Sequence, residues 1–581
     1  MKRTSRIALA LIAIAFGTAD VHAAADTEIL AWVYFHEKSA AQEPVPANVV
    51  SERSLRRRAK VRPAAALVDA TDLPVDEAAV GRVAARVAAV RQRSRWLNAV
   101  SVRATSAQLA IVAALPEVQR VERMMRYHRR PQDETPVQET PPAPHRSRLP
   151  RAAGIDYGAS LGQLQLLNVP PLHAQGLTGS GVLIAHCDNG YRLLSHDALA
   201  ATQIVATRDF VDGDVDPAPP VGSPPGWGAH GISTLSALSG FAPGELIGVA
   251  YNASYALART ENDASETPLE EDNWVAAIEW ADSLGADVAS TSLGYLDFDA
   301  PFTSWTWEDM DGNTTAITRA ADLAVERGIT VVNSAGNASE DPAHNTLLAP
   351  ADGDLVLTVG AVDATGIRAS FSSVGPTTDV PARIKPDVMA PGVLVHVART
   401  TSVNQYGNSS GTSLSCPLAA GVVALLLQAH PNATPAQIRD ALRLTADNAA
   451  SPDNLRGWGT VDAVAALAWL QATDIELPTI ATPNAWRLAP ATPNPFNPTT
   501  RIEFMVAAPA VVTLRVFDPR GRLVRTLVQG EQRAGVQTAL WNGTHLDGRR
   551  AASGVYLVRL DAADPAGRTL YTATQRLVLA K

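Results

Sequence analysis

The sequence predicts an α/β protein: a central domain built on a parallel sheet, preceded by a small α+β unit and followed by a small β-sandwich. Three observations carry this. From about residue 151, short runs that are apolar on both faces alternate with helical segments, the pattern of a parallel sheet covered on both sides. Residues 27–125 mix strand-like runs with helix-spaced apolar positions and lead into a stretch rich in Pro and charge, a solvated linker. Beyond about residue 496 the apolar period drops to two, with Gly turns between the runs.

Taken in order, residues 1–23 hold Lys2, Arg3 and Arg6, the apolar run IALALIAIAF, and VHA ending at Ala23, the layout of an export signal. That run is too short for a permanent anchor, and no later stretch reaches the roughly 18 uninterrupted apolar residues of a span. The mature chain is therefore expected to be exported and soluble. In the next unit, residues 24–130, ILAWVYF (29–35) reads as a strand. Val80, Val83, Val87 and Val90 recur at helical spacing, WLNAVSVRA (96–104) reads as a second strand, Thr105 caps a helix with Leu109, Val112 and Leu115, and VQRVERM supplies a third strand. Residues 131–152 are the linker. The central domain, 153–472, has the apolar runs GVLIAHC, ASYALAR, ADVASTS, ITVVNSA, DLVLTVG and VLVHVA, separated by helices such as WVAAIEWADSLG and ITRAADLAVERG. A second linker, 473–490, precedes the sandwich, 491–581, with strands in TRIEFMV, VTLRVFDPRGRLVRTL, GVYLVRL and TQRLVLA and a hairpin signal at Asp547-Gly548.

A length of 581 residues suits three or four domains. Two cysteines, Cys187 and Cys416, both in apolar segments, cannot form a disulfide framework and read as buried free thiols. Charge is uneven. Residues 24–150 carry 20 Lys+Arg against 14 Asp+Glu, residues 151–472 carry 13 against 35, and residues 473–581 carry 13 against 8. The acidic middle argues against nucleic acid as its partner. A basic leader beside it leaves two readings open: the two attract each other, or the middle has a solvated acidic surface.

The stretch GTSLSCP places Ser413 between a Gly-Thr turn and an apolar helix. A serine hydroxyl becomes a nucleophile when a base takes its proton, and that base is usually a histidine oriented by a carboxylate. In an open parallel sheet such groups gather at the carboxyl ends of strands. GVLIAHCDNG ends a strand at Asp188, before a turn at Asn189-Gly190, and GAHGISTLSALSG opens a helix of small residues at His230. ITVVNSAGNAS ends another strand near Asn337, whose amide could face the oxygen that becomes negative when a carbonyl is attacked, with the Ser413 backbone N–H as second donor. Pro417 fits a first helical turn, where N–H groups lack partners.

With these four motifs in this order, residues 160–470 resemble the subtilisin-like serine proteases, the subtilases, through IAHCDNG, HGISTLSALSG, SLG at 292–294, NSAGN and GTSLSCPLAAG. The resemblance implies a serine endopeptidase acting on protein or peptide substrates. In it Asp188 orients His230, His230 is general base and then general acid, Ser413 attacks the scissile carbonyl, and Asn337 stabilises the oxyanion. Ser292, Leu293 and Gly294 would form an extended segment that pairs with substrate backbone beside the specificity pocket. Two residues depart from the family's habit: Asn189 stands where Thr or Ala is common, and Ile232 where Thr usually follows His-Gly, which puts the local hydrogen bonding in question. His186 shares a strand face with Asp188 and is read as structural, and Cys416 as packing.

Residues 27–125 resemble an inhibitor-type propeptide, a βαββαβ-like unit, which implies a zymogen held by its own leader and cut between Arg130 and Ala153. NPFNPTTRIEF through LVLAK resembles the FlgD-like, Ig-like modules that end secreted bacterial subtilases. In some lineages these serve as type IX secretion signals, so the partner implied is secretion machinery; a stabilising or substrate-binding module is the alternative. The implied location is secreted or cell-surface. No cofactor is implied for the chemistry and no metal is assigned. Structural calcium is common in the family, and FVDGDVDP (Asp209, Asp212, Asp214, Asp216) and EDMDGN (Asp309, Asp311, Asn313) offer oxygen ligands, but neither completes an EF-hand loop and acidic surface is the favoured account. Against rival functions, a silent binding protein would lack one of the four catalytic residues, a serine-carboxyl peptidase would need Glu in place of His230, and an esterase elbow fails because Ser415 stands where G-x-S-x-G needs Gly.

Overall fold

The computed structural model describes residues 28–36, 38, 49–123, 154–299, 304–474 and most of 486–580. The export signal, the linker 131–152 and the turn at Asp547-Gly548 lie outside the described residues. The chain divides into two units, Met1–Gln471 and Ala472–Lys581.

The first unit opens with β1 (Ile29–Phe35), α1 (Glu52–Arg58), α2 (Glu77–Ala84), β2 (Ala89–Ser94), β3 (Ala99–Ala104), α3 (Ser106–Ala113) and β4 (Val118–Arg123). The strands form an antiparallel sheet in the order β2-β3-β1-β4. Along β1 the side chains alternate. Ile29, Ala31, Val33 and Phe35 pack with Val80, Val83, Leu109 and Val112 of α2 and α3, while Leu30, Trp32 and Tyr34 face the other way. Thr105 caps α3, accepting from the Gln108 N–H at 3.2 Å. The helix expected to continue through Val87 and Val90 stops at Ala84, and residues 89–94 form β2 instead. A run such as VAAV satisfies helical and strand periods alike, and the ladder to β3 decides between them.

The rest of the unit comprises α4 (Leu161–Leu166), α5 (Pro170–Ala174), β5 (Leu183–Asp188), β6 (Gln203–Asp209), α6 (Ala229–Ser239), the short pair β7 (Phe241–Ala242) and β8 (Leu246–Ile247), β9 (Ser254–Arg259), α7 (Pro268–Leu284), β10 (Val288–Thr291), α8 (Ala316–Glu326), β11 (Thr330–Ser334), β12 (Leu357–Val362), β13 (Val388–Pro391), β14 (Val395–Ala398), β15 (Tyr406–Ser409), α9 (Thr412–Ala429), α10 (Pro435–Leu444) and α11 (Ala463–Asp474). Seven strands make one parallel sheet, β13-β12-β11-β10-β5-β9-β6. VLVHVA does not join it: β14 pairs antiparallel with β15. Strand order reverses at β5, between β9 and β10, and crevices for ligands form at such points, outside the carboxyl ends of the strands.

Both sheet faces are buried. Ile184 of β5 packs with α6 and α9 on one face, and Leu183, Ala185 and Cys187 pack with α7 and α8 on the other. Helix α9 is apolar enough to cross a membrane by composition, yet it is the buried core helix of this domain. The outer side of α7 and α8 is covered in turn by the N-terminal sheet: Trp32, Tyr34 and Trp96 share one core with Trp274, Ile278 and Ile317. Charge crosses the same contact. Arg57 and Arg58 of α1 both bind Asp282 of α7, with Arg58 Nη2 2.6 Å from Oδ2. Arg95 adds a third contact at 3.1 Å, and Glu279 accepts from the Ser94 hydroxyl and the Trp96 N–H. Of the two readings of the uneven charge, attraction between basic leader and acidic middle is the one these contacts support.

The second unit contains β16 (Arg487–Leu488), β17 (Thr500–Val506), β18 (Ala510–Phe517), β19 (Leu523–Gln532), β20 (Gly535–Trp541), β21 (Gly554–Ala563) and β22 (Thr569–Leu579). Two sheets, β16-β17-β20 and β19-β18-β21-β22, close on a core of Ile502, Phe504, Trp541, Leu514, Val558 and Leu560, a β-sandwich. Segment 473–490, read as linker, already contributes β16, which pairs with β17.

Candidate active site

Each predicted catalytic residue leaves a strand end or opens a helix at the rim where strand order reverses. Asp188 is the last residue of β5, and Ser292-Leu293-Gly294 directly follow β10. Asn337 lies just past β11. His230 and Ser413 are the second residues of α6 and α9. His230, Ser292, Leu293, Gly294, Asn337 and Ser413 line one cleft of about 550 Å³, with Asp188 buried behind His230.

Asp188 Oδ1 lies 2.6 Å from His230 Nδ1 and also accepts from the Asn189 N–H at 2.8 Å. Its Oδ2 accepts from the Thr234 hydroxyl at 2.8 Å. Burial alone would raise this carboxyl, but the His230 imidazole and these hydrogen bonds hold it below the usual range. Gly231 is required beside the histidine, because a Cβ there would come within 2.2 Å of the Gly190 carbonyl oxygen. The two departures from the family pattern are absorbed locally. Asn189 Oδ1 accepts from the Gly231 N–H at 3.0 Å and its amide donates to Asp263 at 2.6 Å. Ile232 is buried in the core, and the threonine that meets the aspartate is Thr234, one turn beyond His230.

Asn337 is oriented by its own carbonyl. Its Oδ1 accepts from both the backbone N–H and the hydroxyl of Thr412, each at 2.9 Å, which leaves Nδ2 turned toward Ser413. A methyl carbon placed on Gly411 would be 2.9 Å from Ser413 Oγ and 3.6 Å from Asn337 Nδ2, so hydroxyl and amide face one small space. Pro417 does not lie in the first turn as expected; it is the sixth residue of α9. It therefore denies the Ser413 carbonyl its helical N–H, and the Ser292 hydroxyl donates to that carbonyl at 2.7 Å instead. The SLG segment and Ser413 are thus tied together.

His186 is fully buried, with Nδ1 2.8 Å from the Tyr191 hydroxyl, and burial pushes its imidazole down to about 4. It stays neutral and inside the core. Cys187 and Cys416 are buried and free, and the Cys416 thiol donates to the carbonyls of Thr291 and Val332, each at 3.3 Å. The donor set after β6 does not fit a divalent cation: Arg259 Nη1 already lies 2.7 Å from Asp209 and 2.6 Å from Asp212. Asp309 and Asp311 turn inward on their own loops, accepting from Thr306 and from the Asn313 and Thr314 N–H groups. Sequence reasoning missed Thr234, Asp263 and Leu348, the last a residue that lines the same cleft. Spacing of i+4 from His230 could have found the first; no local pattern marks the other two.

Residues 179–459 match the profile of the subtilase family, residues 30–139 that of the peptidase S8 propeptide domain of Bacteroidota, and residues 493–566 that of the FlgD Ig-like domain. Subtilisin DY of Bacillus licheniformis is 35% identical over 298 residues, 51% of this chain and 93% of that protein. Subtilisin Savinase of Lederbergia lenta is 32% identical over 315 residues, 54% of this chain and 99% of its own length. Among solved structures, a protease from Pseudoalteromonas arctica is 28% identical, with 54% of this chain and 98% of that chain covered and a TM-score of 0.42.

Proposed function

The chain belongs to the subtilase family of serine proteases and carries that family's propeptide domain, and from this premise we propose that it is an exported endopeptidase working through Ser413, His230 and Asp188. The observation that carries the reading is the 2.6 Å contact of Asp188 with His230 in a cleft that His230 shares with Ser413 and Asn337.

In this mechanism His230 removes the Ser413 proton as Oγ attacks the scissile carbonyl. The negative oxygen is held by Asn337 Nδ2 and the Ser413 N–H, donors fixed before the reaction begins. His230 then hands its proton to the leaving amine, and water repeats the cycle on the acyl-enzyme. Asp188 stays ionised throughout, keeping the imidazole in one tautomer and stabilising its charged form. Ser292, Leu293 and Gly294 align the substrate backbone. Subtilase chemistry needs no cofactor, and calcium, if bound, would be structural.

The leader on α7 and α8 is the inhibitor of the zymogen, and maturation cuts between Arg130 and Ala153. Export rests on the signal pattern ending at Ala23. For the C-terminal module, a role with secretion machinery rests on its FlgD-like character alone.

Replacing Ser413 by Ala tests the whole reading. The secreted Ser413→Ala chain should keep its leader attached by an uncut linker and leave casein intact, and His230→Ala should behave the same way. N-terminal sequencing, mass determination and a casein assay check this together. A Ser413→Ala protein that still matures itself and digests casein would assign the nucleophile to another residue.

A further inference from the structure

Resting on that reading, we propose that Leu348 plugs the specificity pocket, so that this protease cuts after small residues (Ala, Ser, Gly) and rejects large ones. The observation is a slot between two backbone segments. One wall is Gly294, at the end of the SLG segment; the other is Gly336, beside Asn337. Both belong to the cleft that holds His230 and Ser413, and Leu348 belongs to it too. Glycine on both walls would ordinarily leave an open space one side chain wide. Here that space is filled. A Cβ on Gly294 would come within 2.7 Å of Leu348 Cβ and 3.0 Å of its Cδ1, and a Cβ on Gly336 within 2.6 Å of Leu348 Cγ and 2.8 Å of Cδ1. The leucine therefore spans the slot from wall to wall along its length, and it is only 5% exposed. Its backbone is held in place: Ala349 exchanges both hydrogen bonds with Tyr295, at 3.0 and 2.9 Å, so the plug is fixed to the segment that continues SLG.

The substrate must approach this floor. Its scissile carbonyl carbon has to lie at Ser413 Oγ with the oxygen toward Asn337 Nδ2. The side chain on the same residue then starts within a few ångströms of Gly336, and the direction away from the solvent leads into the slot. A methyl or hydroxymethyl group stops short of Leu348. A benzyl, isobutyl or lysyl chain overlaps it and would have to displace a packed, buried leucine. A misfit of even a methylene or two in a close pocket is worth about 10–200-fold in kcat/KM, and overpacking a filled site adds strain.

The test uses the self-matured enzyme on denatured casein, with the residue before every cut identified by mass spectrometry. Cuts that vanish in the Ser413→Ala chain are the enzyme's own. The expected result is cutting after Ala, Ser and Gly about 10-fold or more above cutting after Phe, Tyr, Leu and Lys, each corrected for its share of the sequence. In Leu348→Ala the ratio of aromatic to small should rise about 10-fold or more. Wild-type cutting after Phe, Tyr or Leu at or above their share overturns the inference while leaving the protease reading intact, and that outcome does not depend on any variant folding. A wild-type ratio as expected that Leu348→Ala, well folded by its melting curve, fails to shift also overturns it. An absence of Ser413-dependent cuts sinks the protease reading itself.

Discussion

Two buried carboxylates, Asp188 at the rim of the sheet and Asp282 on α7, do opposite work with similar chemistry. Asp188 is fully buried but meets a single histidine whose side chain is 26% exposed. One side of the pair opens to the cleft, so a proton can enter and leave. Asp282 meets Arg57 and Arg58, and all three are at most 1% exposed. Arg57 also donates to the carbonyls of Ala286 at 2.7 Å and Arg327 at 3.0 Å, and Arg58 grips Asp72 with two contacts of 2.8 Å. None of these arginines can lose its charge, and none is wet. The pair to which we assign proton transfer is left half open, and the pair that joins two parts of the chain is sealed. The sealed pair comes with a condition: its charges are satisfied only while the leader is docked.

The largest effect should follow from breaking the sealed cluster. Asp282→Ala, made in the full-length Ser413→Ala chain so that the leader stays attached, removes the carboxylate that Arg57, Arg58 and Arg95 share, leaving Arg58 with Asp72 and the buried Arg57 with neutral acceptors alone. Removing one partner of a buried pair costs about 3–5 kcal/mol, to be read as a loss of unfolding free energy in urea. A loss under about 1 kcal/mol would mean that the cluster is only decoration. The pH dependence has a definite sign. Asp282 and Asp72 are both held below the usual carboxylate range, against burial, by the surrounding arginines. Their stabilisation is therefore present above the ordinary carboxylate pKa of about 4 and disappears as pH falls through and below it. The grip of leader on enzyme should weaken on acidification over that same range.

Next in size is Asn337→Ala, which acts at the rim alone. Losing one oxyanion donor lowers kcat about 10²–10³-fold, a figure that itself comes from a subtilase. KM should change by a factor of about 3 or less, since the donor acts on charge that develops in the transition state. The pair of variants sharpens the contrast: made again with Ser413 intact, Asp282→Ala weakens docking and spares turnover in the matured enzyme, whereas Asn337→Ala does the reverse. Steady-state kinetics on a peptide substrate, beside the urea curve, separates them. A kcat loss in both variants would merge the two regions into one.

The rim was legible in the sequence because its parts are local. Asp188, His230, Asn337 and Ser413 each sit within a few residues of a strand end or helix start, where short glycine-containing patterns fix the backbone. The docking face had no such mark. Arg58 and Asp282 are joined across 224 residues, so all the sequence could offer was a basic leader and an acidic middle. The overextended α2 and the misplaced VLVHVA failed for a related reason, since only the neighbouring strand decides whether VAAV becomes ladder or helix and whether Val395–Ala398 joins the sheet or a hairpin. Leu348 was unreadable because it is a plug only by virtue of two glycines on other segments. The sandwich was legible through its strict alternation: every second residue of β17 and β18 is buried and those between are not, a period that repeats without help from afar.

The smallest of these effects is expected at Thr234, and it tests how finely the rim is tuned. Thr234 does not touch substrate; it acts through Asp188, donating at 2.8 Å to the oxygen that His230 does not use. Its hydroxyl also lies 3.0 Å from the His230 carbonyl, so the carboxylate is braced against the helix that carries the histidine. Thr234→Val keeps the shape and removes the donor. A hydrogen bond to a charged group is worth about 1.5–3 kcal/mol, but the Asn189 N–H and His230 remain on Asp188, so the loss in kcat/KM should be nearer the lower end, about 10-fold. With one donor fewer the carboxylate is held in place less firmly, and its charge, less dispersed, favours the imidazolium more. The limb of kcat/KM that reports His230 should therefore move up in Thr234→Val, and Thr234→Ser, which restores the hydroxyl, should bring both rate and limb back. A purely structural role predicts a lower melting temperature with an unmoved pH limb, and that outcome would leave Asp188 braced by Asn189 and His230 alone.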